Sequence, residues 1–215
     1  MALASACTMP AAFAAGGHHA VDDATLMEPG NCEAEGWFTR SQGPSHVLHA
    51  GLACRAGPVE LAAAAESARD AGSSHPGWAA QLKWAAPVTR EFAWGVSVTP
   101  IWQGHERPRY QATTIAALAT WNVNDSLLLH ANLGRDIRPN AAGRARSGVA
   151  LEWSPRPRLS VVGERYIEEQ AHYLRAGLRW SASDRLTLDV SHARRLAGPG
   201  ASNWTIGATH RFDTR

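Results

Sequence analysis

The chain has 215 residues and a formal net charge of +2, enough for one sizeable domain and too balanced to imply an acidic or basic partner. No run of about 18 apolar residues occurs, which excludes a transmembrane helix. The negative mean hydropathy leaves a membrane barrel open, because lumen-facing polar residues alternate with outward apolar ones and cancel the average.

Residues 2–15 are small and mostly apolar, and Ala12-Phe13-Ala14 has the small-residue spacing of a signal-peptidase site. A secretory leader over residues 1–15 is therefore expected. Its basic n-region is missing, so its start lies upstream or Met1 is an internal methionine; the other reading is an Ala-rich tail. Residues 16–30 follow as a polar segment. His18, His19, Asp22 and Asp23 are metal-ligating residue types, but two adjacent histidines on a tail are a weak ligand set, and no metal or other cofactor is assigned. Removal of the leader takes Cys7 with it and leaves Cys32 and Cys54 as an even pair. They sit symmetrically about the turn-like Ser41-Gln42-Gly43-Pro44-Ser45. A hairpin folded there puts them opposite each other, within reach of a disulfide; the alternative is two buried free thiols.

From there the chain alternates with period two, the signature of strands with one apolar and one polar face. Trp78-Ala80-Leu82-Trp84, Leu127-Leu129-Ala131-Leu133 and Leu174-Ala176-Leu178-Trp180 are clear examples. Filling the gaps predicts about twelve strands: 32–40, 46–54, 58–67, 77–86, 91–102, 110–121, 126–135, 146–154, 159–167, 172–181, 186–194 and 202–212. The segment 58–68 is helical on propensity alone and Thr114–Ala119 is ambiguous; both are read as strands to keep the connectors in step. Short connectors (55–57, 87–90, 122–125, 155–158, 182–185) alternate with stretches read as longer loops (around Ser74-His75-Pro76, 104–109, 139–144 and 198–200). That asymmetry belongs to bacterial outer-membrane barrels, and an even strand number puts both termini on the short-turn, periplasmic side.

Aromatic residues fall near the strand ends. Trp84, Trp94, Trp121, Trp153, Trp180 and Phe212 mark the periplasmic ends. Trp37, Trp78, Trp102, Tyr110, Tyr166, Tyr173 and Trp204 mark the outer ends. Two girdles of this kind are expected at membrane–water interfaces, whereas a soluble sandwich would place its large rings mid-core. The expected fold is all-β: an antiparallel up-and-down transmembrane barrel over residues 31–215, with residues 16–30 tucked toward its periplasmic mouth. The last strand closes on Phe212, an aromatic of the kind that barrel-assembly machinery recognises, although Asp213-Thr214-Arg215 follow it.

His18-His19-Ala20-Val21-Asp22-Asp23, then Gly30 and the opening strand Cys32-Glu33-Ala34-Glu35, resemble the start of a bacterial outer-membrane family named for the meta-cleavage pathway of phenol degradation. Members of that family begin with a His-Pro…Thr-Asp-Asp stretch; the proline and threonine are absent here and the His-to-Asp spacing is shorter. The specific likeness covers some twenty residues. It implies an outer-membrane channel with a transporter-like role.

Under this layout Glu60, Gln81, Lys83, His130, Asn132, Glu152, Glu164, Arg175, Arg179 and Asp189 face the lumen. Charges of both signs there line a selective pore or lock a salt-bridged plug. Arg107, Arg109, Arg135, Arg138, Arg144, Arg194 and Arg195 lie in or beside the outer connectors. They are expected to ring the mouth and hold lipopolysaccharide phosphates or anionic solutes, or else to be a solvated loop set. A lipid hydrolase needs a Ser–His pair with a supporting carboxylate or amide. Ser191 and His192 are adjacent in one strand and face opposite ways, and nothing sets Ser202, Asn203 and His210 at triad distances. No nucleic-acid motif appears. The function expected is passive passage of a small solute. A closed structural barrel is the alternative and a hydrolase the remote one.

Overall fold

A computed structural model describes residues 18–70, 73–139 and 141–213; the leader expected over residues 1–15 lies outside them. Alternating side chains make twelve strands: β1 Asn31–Ser41, β2 His46–Ala56, β3 Val59–Asp70, β4 Ser73–Pro87, β5 Phe92–Gln103, β6 Tyr110–Asn124, β7 Leu127–Ile137, β8 Arg144–Arg156, β9 Leu159–Glu168, β10 Ala171–Ser181, β11 Leu186–Ala197 and β12 Asn203–Asp213. Each pairs antiparallel with its neighbour in sequence. The sheet closes through β1 and β12, in register from Asn31↔Asp213 to Ser41↔Asn203. Closure removes the edges that an open sheet would expose.

The segment with helical propensity is strand β3, paired along its length with β2 and β4. Ladder bonds on both sides override propensity, as tertiary pairing commonly does. The stretch Ser74-His75-Pro76, expected as loop, is part of β4. The contrast between connectors is also smaller than expected. Residues 57–58, 125–126 and 157–158 are two-residue turns at one end, but β9 and β10 are joined at the other end by Glu169 and Gln170 alone. Both have positive φ, 50° and 70°, the mirror-type turn whose twist matches that of a tight hairpin. Cys32 and Cys54 are opposite one another and bridged, with Cα atoms 4.1 Å apart.

Pleating sorts the side chains. Leu48, Leu133, Val149, Trp180 and Ile206 stand exposed on the outside, while Lys83, Glu152, Glu164, Arg179 and Asp189 are buried inside. The usual soluble pattern is inverted, so the polar groups form the interior. Three aromatics expected in the outer girdle turn inward instead. Trp37 stacks on His49, ring centroids 3.4 Å apart, and Tyr166 stacks on Tyr173 at 5.1 Å. Tyr166 is buried with Val21 and Ala150. Proximity to a strand end says nothing about face; parity does.

Candidate functional site

All ten residues expected to face the lumen lie on inward positions, and most meet the N-terminal segment. Residues 18–30 do not stop at the mouth, as expected from sequence; they climb into the barrel and cross it. The path starts where the Met27 amide donates to Glu60 Oε2 at 3.2 Å and Arg55 donates to the Met27 carbonyl at 2.6 Å. Farther in, the Ala24 amide donates to Thr120 Oγ1 at 2.8 Å, and that hydroxyl meets His130 Nδ1 at 2.9 Å. At mid-lumen the Lys83 ammonium bonds Asp22 at 3.0 Å and Asp23 at 3.2 Å. Asp23 also accepts the amide and hydroxyl of Thr25, at 2.8 and 2.7 Å. Asn132, with its amide turned to suit its neighbours, exchanges bonds with the Asp22 main chain.

The far wall is a second charged cluster. Glu164 accepts the amides of Ala20 and Val21 at 3.1 and 3.0 Å, and the guanidinium of Arg175 at 3.0 Å. Arg175 also donates to the His18 carbonyl and to the Tyr166 hydroxyl. Arg179 bridges Asp189 at 2.9 Å and Glu152 at 3.3 Å. Val21 is fully buried, and a Cβ on Gly148 would come within 2.6 Å of it. Glycine is needed there because segment and wall touch.

The buried charges are paired, as a low-dielectric interior requires. Burial would raise Asp23, but Lys83 and the Thr25 bonds outweigh it and hold its carboxyl below the usual range. Burial lowers His18 to about 3, aided by His19 and Arg175. Burial also opposes charge on His19, yet its bonds to Asp189 and Glu164 prevail and raise it. The two imidazoles, shifted in opposite directions, lie side by side, stacked with centroids 4.7 Å apart.

Each side of the segment holds a vestibule of mixed polar and apolar lining. One, of about 240 Å³, is lined by Gln81, Ser97, Thr99, Arg146, Glu168 and Tyr166 among others. The other, of about 260 Å³, lies at the two-residue-turn end, beside Thr25, Arg55 and Arg90. Arg146, which sequence reasoning did not single out, bonds Asp136 and Glu168 at 2.6 Å each. Its inward parity in β8 was the available signal. The seven arginines expected as one rim ring divide instead. Arg135 and Arg194 are on outward positions, Arg144 and Arg195 on inward ones, and Arg107, Arg109 and Arg138 are in loops.

A Ser–His pair does form, between Ser191 Oγ and His18 Nε2 at 2.7 Å. Sequence reasoning missed it because the histidine comes from the N-terminal segment. His18 Nδ1 has no hydrogen-bond partner, so nothing orients the ring as a triad would, and Ser191 is buried.

A closed antiparallel barrel with a polar lumen and an apolar exterior is also the fold of several solved outer-membrane proteins. The KdgM porin structure superposes with a TM-score of 0.70 at 9% identity, covering 84% of this chain and 99% of that one. The NanC porin gives 0.63 at 7%, covering 83% and 98%. An outer membrane channel from Pseudomonas putida F1 gives 0.62 at 10%, covering 88% and 98%. At such identities the likeness is one of fold. By sequence the chain belongs to the family described as uncharacterised conserved protein UCP029691, whose model matches residues 3–212. No curated protein matches it.

Proposed function

We propose that the protein is an outer-membrane channel, closed at rest by its own N-terminal segment, that passes a small polar or charged solute when the segment moves aside. One observation carries the reading: residues 18–27 cross the lumen and are held there mainly by hydrogen bonds and ion pairs, with Val21 against Ala150 and Tyr166 as a small apolar contact. Polar contacts exchange with water at little net loss, so such a block is reversible in a way that close-packed apolar filling is not. The outward belt of Leu, Val, Ile and Trp supports membrane insertion. Trp121, Trp153 and Trp180, outward and more than a third exposed, suit the interface nearer the two-residue turns. With both barrel ends there, the termini face the periplasm and the chain reaches the membrane through a leader and the assembly machinery. The likeness of residues 18–35 to the phenol-degradation barrels belongs to the same proposal. The KdgM porin has also been solved in complex with disordered oligogalacturonate, which supports passage of a polar solute without indicating which one.

The closed-barrel alternative rests on the same ion pairs, and conductance separates the two. In planar bilayers the protein should show rare openings, made frequent by Lys83→Met. A folded, heat-modifiable barrel that stays silent in both forms would leave a structural role. Hydrolysis has no comparable support, since Ser191 is sealed inside and its histidine lacks an orienting partner.

A further inference from the structure

Among the described residues, the outward strand positions carry cations and no acidic side chains. In the half away from the two-residue turns 57–58, 125–126 and 157–158, outward positions hold Arg40, Arg69, Arg135, Arg165 and Arg194. The acidic residues of these strands fall on inward positions, as Glu66, Asp136, Glu164 and Glu168 do.

Arg165 is the least expected of the five. It stands not at the tip of β9 but one outward position below it, in the row Val149–Arg165–Leu174–Arg194 across β8 to β11. Val149 and Leu174 are 58% and 50% exposed, so the row stands on the outer surface with apolar side chains between its cations. The Arg165 guanidinium donates to the carbonyls of Tyr166 and Tyr173 at 3.0 and 3.3 Å, and meets His172 Nδ1 at 3.0 Å. Among the described residues neither Arg165 nor Arg194 has an acidic partner within ion-pair distance. Two strand spacings put their Cα atoms about 10 Å apart. An arginine on the lipid face is costly toward the bilayer centre and tolerated toward the headgroups, and its five donors suit phosphate. Beside Arg165 runs an outward groove of about 550 Å³, lined also by Ile167, Val149, Leu133, Ala131 and Ala119. Cation and apolar trough together match an amphiphile that carries a phosphate above a hydrocarbon chain.

We propose that Arg165 and Arg194, with the groove beside Arg165, bind one phosphate-bearing lipid of the surrounding leaflet, its phosphate on the guanidiniums and an acyl chain in the trough. This rests on the membrane reading above. The site differs from a rim of loop arginines: it lies on the barrel wall and engages the chain as well as the headgroup.

The test is reconstitution into phosphatidylcholine vesicles doped with lipid A in its bis-phosphorylated or its dephosphorylated form, followed by gentle extraction and native mass spectrometry. The wild type should retain one phosphorylated lipid per barrel and little of the dephosphorylated form. Arg165→Gln with Arg194→Gln should retain about a hundredfold less, roughly tenfold for each lost charge-assisted contact. Arg158→Gln, in an exposed turn at the other end, should retain as much as the wild type. Equal retention by the double variant and the wild type, or equal retention of the two lipid forms, overturns the site while a heat-modifiable, inserted band keeps the membrane reading intact. Failure of the wild type to insert into either vesicle overturns both. If the double variant does not insert, Leu133→Trp, which fills the groove and keeps both cations, must lower retention or the proposal is wrong.

Discussion

Lys83 is the only lysine in the chain, and it is 4% exposed at the point where the segment crosses the lumen. Its ammonium lies 3.0 and 3.2 Å from two carboxylates, one of them the fully buried Asp23. Lys83→Met keeps most of the side-chain volume but leaves those carboxylates without their cation. Removing one partner of a buried pair costs about 3–5 kcal/mol. The barrel strands need not bear that cost, because the carboxylates can return to water if the segment leaves. The ratio of docked to undocked segment should therefore fall roughly a hundredfold or more. Hydrogen exchange reads this directly, since the amides of Ala20, Val21, Ala24 and Met27 are protected by bonds to the wall. In Lys83→Met a peptide spanning residues 18–27 should exchange far faster while strand peptides keep their protection, and Lys83→Arg should restore most of it. Unchanged protection of that peptide in Lys83→Met would refute the reasoning and place the hold on Glu164 and Arg175 instead.

Further outcomes are expected. The two histidines of the segment should titrate its docking in opposite senses. His18, lowered to about 3 from an ordinary 6.5, contributes docking stability present above pH 6.5 and lost as pH falls toward 3, about 2 kcal/mol of it near pH 5. His19, raised, contributes stability present below 6.5 and lost as pH rises through its higher value. His19→Gln should thus make docking more acid-labile than in the wild type when exchange is followed from pH 8 to 5, and an unchanged profile would count against the assignment. Leu178→Arg, on an outward position 48% exposed, should cost about 2–4 kcal/mol in vesicle unfolding. Gln81→Arg, at the vestibule, should be nearly silent, and equal costs would sink the register. Reduction of Cys32–Cys54, separated by 22 residues, should lower stability by roughly 3 kcal/mol in the chain-entropy model, read as a lower urea midpoint with reductant.

Much of the barrel is legible in the amino-acid sequence because its information is local. Leu174 to Trp180 and Trp78 to Trp84 alternate by two, and a strand's faces are fixed by that parity wherever the strand ends up. The bridge between Cys32 and Cys54 is equally legible, since hairpin register follows from the turn between them. Connectors are less so: Pro76 reads as a loop residue, yet pairing with Ser67 carries the ladder past it. Glu169 and Gln170 carry no glycine to announce a tight turn. The inward turn of Trp37 and Tyr166 is available from parity but masked by their position near strand ends.

What the sequence determined by itself is the period of the strands, their order and the face of each side chain, including the inward placement of Lys83, Glu164 and Arg175. Only the tertiary structure decided what those charges meet. Residues 18–27 have no periodicity and no propensity that indicates a destination. They enter the lumen because closure of β1 on β12 surrounds them with charged and hydrogen-bonding side chains that complement their own groups. Asp22 and Asp23 find Lys83, and the amides of Ala20 and Val21 find Glu164, across 60 and more residues of chain. A local pattern cannot encode such a contact. It exists because a closed ring of strands turns many polar side chains toward one shared interior, and the segment supplies partners to those it meets there.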